Sequence, residues 1–63
     1  MVETERQMAD RHVREQFGRI EKQEALVMRL HARGLSTIAA LAILADMREL
    51  LSQMQAHVAR FAN

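Results

Sequence analysis

The side chains of this chain best suited to proton transfer or metal ligation are three histidines, His12, His31 and His57, with eight carboxylates. Their spacing argues against either use. No histidine lies three or four residues from another and no Glu-x-x-His pair of the di-iron type occurs. Glu24 and His31 share a stripe but stand two helical turns apart, about 10 Å along an axis. Cysteine is absent, which removes thiolate ligands, disulfides and a thiol nucleophile together. There is no glycine-rich phosphate loop and no Ser/His/Asp set with supporting context. The expectation is a chain without a catalytic site, cofactor or metal, and so not an enzyme. His31 reads as a helix-end residue and His57 as one flanking an apolar seam.

The remaining chemistry is charge. Seven of the nine Lys and Arg residues precede Gly34, and Arg11, Lys22, Arg29 and Arg33 fall on one outer stripe of a helix there. In a dimer two such stripes could track phosphates, which would make the chain a small dimeric RNA- or DNA-binding regulator. Several features oppose that reading. Glu15 lies in the same stripe, most of the acidic residues share the segment, the net charge is only +1, and Tyr and Trp are absent as stacking partners. A solvated helix face is the stronger interpretation.

The elements that would carry these groups are two helices. Thr37, Ala40, Leu44, Met47, Leu51, Met54, Val58 and Phe61 alternate steps of three and four, a heptad seam facing a partner helix. Ile43 and Leu50 on one side and Leu41 on the other widen that seam towards a bundle-type face. In the first helix Val13, Phe17, Ile20 and Val27 occupy the same kind of frame, with Asp10, Glu24 and His31 interrupting it. Residues up to His12 are mostly polar and predict a loosely held helical tip. Asp10–Arg14 and Glu15–Arg19 are i,i+4 pairs on the solvated back. Glu24 should pair with Arg48 at the seam edge.

Gly34 suits the left-handed position that closes a helix, Leu35 should fold back onto Leu30, and Ser36 is the expected N-cap of the second helix. The reading is all-α: a single antiparallel hairpin over 1–63, with helix one at about 3–33, a turn at 34–36 and helix two at about 37–62. A register that sets Val27 by Leu44, Ile20 by Leu51, Phe17 by Met54 and Val13 by Val58 aligns four apolar layers and leaves residues before Met8 overhanging.

A two-helix seam is open on one side, and disulfides are excluded, so self-association is the expected remedy. The candidate core and oligomer interface is Val13, Phe17, Ile20, Val27, Leu30, Leu41, Ile43, Leu44, Met47, Leu50, Leu51, Met54, Val58 and Phe61. A homodimer forming a four-helix bundle is the economical form, with a higher oligomer or a further protein partner as alternatives. The apolar run Ile38 to Ala45 is too short for a membrane span and the N-terminus lacks a signal-peptide core, so a cytoplasmic location is expected. Function at this level is that of a self-associating structural or interaction protein.

The run Arg19-Ile20-Glu21-Lys22-Gln23-Glu24-Ala25-Leu26, followed by Arg29-Leu30, Gly34 and Thr37, resembles short helical proteins common in alphaproteobacterial genomes. In that group an R-I-x-x-Q-x-x-L helix, a Gly–Thr turn and a leucine-rich second helix recur. The resemblance spans roughly residues 12–61 and implies the same hairpin, with no activity attached. Leu35-Ser36 and the alanine-rich second helix depart from the group. In size and architecture the chain is also similar to the repressor-of-primer family of RNA-binding dimers, without matching RNA-contact residues.

Overall fold

Thr4 starts the first helix. Its backbone is extended, its Oγ1 accepts the Gln7 amide N–H at 3.1 Å, and the Gln7 Oε1 accepts the Thr4 N–H at 2.9 Å. This reciprocal capping box satisfies two donors that a helix start leaves unpaired. In the computed structural model, which describes residues 2–62, the elements are α1 Glu5–Ala32, α2 Ile38–Ala59 and a closing 3₁₀ turn Arg60–Ala62. Residues 1 and 63, part of the expected hairpin, lie outside the described residues. No strand occurs among the described ones.

α1 ends where glycine allows it. Gly34 has φ +71°, its N–H donates to His31 O at 3.0 Å, and the Leu35 N–H donates to Leu30 O at 2.9 Å. These two bonds form a Schellman motif, which needs the left-handed conformation that a Cβ disfavours. Leu35 folds back onto Leu30 through its backbone, while its side chain stays exposed. α2 is capped by Thr37 rather than Ser36, and Thr37 makes no side-chain cap bond. The Ser36 hydroxyl only accepts the Ile38 N–H, at 3.4 Å. The helix therefore opens on the backbone bond from Leu41 N–H to Thr37 O at 2.8 Å.

Along α2 and its flanking caps, Thr37, Ala40, Leu44, Met47, Leu51, Met54, Val58 and Phe61 are withdrawn from solvent and every other α2 residue is exposed. The line of α1 that meets them is Ala9, Val13, Gln16, Ile20, Gln23, Val27 and Leu30, in steps of four and three. Here the structure corrects the expected seam. Val13, Ile20 and Val27 lie in it, but the companion line runs through Gln16, Gln23 and Leu30, and Phe17 remains 46% exposed. The rotation has a physical reason. It lifts Asp10, Glu24 and His31 to the rim and admits two neutral amides, which are far cheaper to bury once hydrogen-bonded.

Both amides are satisfied across the interface. Gln16 Nε2 donates to Met47 O and Gln23 Nε2 donates to Ala40 O, each at 2.9 Å. A carbonyl that already accepts a helical bond has a second lone pair for this. The two glutamines lie one heptad apart, and so do their acceptors in reverse order, which shows the helices to be antiparallel. The register differs from the expected one. His57 stands beside Glu5, Met8, Ala9 and His12, so α2 reaches over the first turns of α1 and the residues just before Met8 do not overhang.

Two helices make a plate. Its extents are 47 × 23 × 13 Å and its radius of gyration is 14.9 Å, against about 11 Å for a compact chain of this length. The accessible surface is 5096 Å², roughly 1,000 Å² more than the ~4,100 Å² of a compact monomer of equal mass.

Candidate interaction surface

A plate one helix thick has two broad faces, and the heptad steps assign residues to each. On α2, Leu41, Arg48 and Gln55 flank the seam on one side, and Ile43, Leu50 and His57 on the other. On α1 the corresponding stripes are Asp10, Phe17, Glu24 and His31, and His12, Arg19, Leu26 and Arg33. Two contacts fix which stripes share a face. Arg48 Nη2 donates to Glu24 Oε2 at 3.2 Å, joining the first of each. His12 and His57 line one open cleft with Ala9, Gln53 and Met54, joining the second of each.

The Glu24 face carries Phe17 and Leu41, both half-exposed, with the Glu24–Arg48 pair between them. The Leu50 face carries Leu26, Ile43 and Leu50. Leu41 thus flanks the seam on one face and Ile43 and Leu50 on the other, as their spacing implied. Met28 at 72% and Ile38 at 79% exposure belong to neither, because their heptad positions point to the outer edges.

The basic stripe is also rearranged. Arg11 forks onto Glu3, with Nε to Oε2 at 3.1 Å and Nη2 to Oε1 at 2.9 Å, while Nη1 donates to Glu15 at 2.9 Å. The guanidinium hydrogen bonds hold the Glu3 carboxyl below its ordinary value, and Glu3 in turn raises Arg11. Arg11 is therefore neutralised locally, which leaves Lys22, Arg29 and Arg33 as exposed cations of the expected four. Glu15 also reaches Arg19, at 3.7 Å, whereas Arg14 forms no ion pair with Asp10.

Of the histidines, His57 packs edge-to-face on Phe61 with centroids 5.4 Å apart, and His31 sits exposed in the last turn of α1. Among the described residues no three of His, Cys, Asp and Glu gather as a metal cluster. No helix among them is long and apolar enough to cross a membrane. The seam residues of α1 that sequence reasoning missed are Ala9, Gln16 and Gln23. Their signal was present, since Ala9, Val13, Gln16, Ile20, Gln23, Val27 and Leu30 repeat the same alternation of four and three as α2.

Comparison with known protein families, curated proteins and solved structures returns no match for this chain.

Proposed function

We propose that the chain is a self-associating helical hairpin, a structural or interaction protein whose first partner is a second copy of itself. The observation that carries this reading is surface. A two-helix plate exposes roughly 1,000 Å² beyond a compact monomer of its mass, and a standard interface takes about 800 Å² from each partner. Pairing two plates face to face gives a four-helix bundle and withdraws that surplus from water. Sedimentation over a range of concentrations tests it. The expected mass is twice the 7.2 kDa of the chain, and a constant single-chain mass at every concentration overturns the reading. The rival, a dimeric nucleic-acid-binding regulator, rests on Lys22, Arg29 and Arg33 once Arg11 is bound to Glu3. Retention on heparin falling steeply with salt would favour it.

A further inference from the structure

We infer that the second copy docks on the face that carries Leu26, Ile43 and Leu50, leaving the Glu24–Arg48 face outermost; the inference rests on the self-association just proposed. Both faces are wide enough. The plate measures 47 by 23 Å, roughly 1,000 Å² for either side, above the ~800 Å² a stable interface takes from each partner. What separates them is the cost of drying the centre. On one side an ion pair whose side chains are still half in water lies midway between Phe17 and Leu41. Covering it would desolvate both charges, and the attraction between them seldom recovers that loss. On the other side the flanking stripes carry Leu26, Ile43 and Leu50 along the face, with Arg19 the charged residue of that stretch. Its guanidinium is held by Glu15 at 3.7 Å and by Gln16 Oε1 at 3.3 Å. Its stem can lie along apolar surface while the head stays wet. Beyond this centre stand Lys22 and Arg29 on the α1 edge and Asp46 on the α2 edge, a charged rim around an apolar middle. A two-fold pairing that lays α1 over the partner's α2 would set charges of opposite sign across that rim.

The chain has no cysteine, so single thiols report the covered face without background. Ile43→Cys and Leu41→Cys are made separately, and each is alkylated with iodoacetamide at concentrations below and above assembly. Cysteine is small and apolar, and both positions are exposed in the hairpin, so neither change disturbs the seam. The expected result is at least tenfold slower alkylation of Ile43→Cys in the assembled protein, with Leu41→Cys unaffected. The reverse pattern, or equal protection at both positions, overturns the choice of face while leaving self-association intact. Rates independent of concentration at both positions, with a single-chain mass, remove the self-association reading and this inference with it.

Discussion

A glutamine inside a helical seam is tolerated only while its amide has somewhere to donate. Gln23 Nε2 meets Ala40 O at 2.9 Å, and a carboxylate there would set oxygen against oxygen. Gln23→Glu should lower stability by about 1–3 kcal/mol at neutral pH, the cost of a polar group left without its bond. Facing a carbonyl raises the carboxyl's value in the fold, so the loss is present above that raised value and relieved as pH falls through it. Thermal melts at several pH values check this, with Gln23→Met as the control whose change carries no pH dependence. The opposite sign holds for Glu3. Arg11 depresses its carboxyl, so the stabilisation is complete above the ordinary carboxylate value and vanishes as pH falls through the lowered one. Acidification should therefore lower the amide protection factors over Thr4 to Met8, relative to the intrinsic exchange rate at each pH, before it affects those of Ile20 or Leu44. The Glu24–Arg48 pair is half-exposed, and a double-mutant cycle should return no more than about 1 kcal/mol. A coupling well above that would mean the pair is covered in the assembly. At this scale the glutamines were overlooked although their spacing continues the seam, because an amide satisfied by a distant carbonyl looks like any polar residue in a hydropathy pattern. Phe17 misled in the other direction, since its size suggested a seam position that the charges one heptad on, at Glu24, make untenable.

Among the elements, the turn depends on one backbone angle. A Cβ added at Gly34 would meet nothing within 4 Å, so the obstacle to substitution is the φ of +71° and not space. Gly34→Val should cost more than about 1 kcal/mol, whereas Gly34→Asn should be milder because asparagine visits the left-handed region more readily. Equal melting temperatures for the two variants would show that conformation is not what limits this position. Gly34 was plain in the sequence because only a few residue types serve as a left-handed helix stop. α2 was plain for a related reason: its seam positions are apolar or small throughout, in unbroken steps of three and four. The Thr4–Gln7 capping box was equally available in the spacing, and it explains why the polar tip of α1 is ordered from Glu5 onward. The sliding of α2 over the first turns of α1 was not available, because apolar layers repeat every heptad and several alignments fill them.

At the scale of the molecule, the self-association proposed above would couple stability to concentration. Leu51 lies mid-seam on α2, where a charge has no partner. Leu51→Asp should abolish helicity and assembly together, and a variant that remained a well-folded single chain would show the hairpin to be self-sufficient. For the unmodified chain, a melting temperature that climbs with protein concentration is expected, since binding a second copy favours the folded state by mass action. Circular dichroism melts over a hundredfold range of concentration measure it.

The turn Arg33 to Thr37 has one further consequence. Every bond that joins α1 to α2, including Gln16 to Met47 and Gln23 to Ala40, connects segments that separate peptides would supply just as well. These few residues act as a tether, and a short one holds its two ends at an effective concentration in the millimolar range. Cutting it would turn a one-chain equilibrium into a two-peptide one, and the split halves would need concentrations of that order to recover the same helicity.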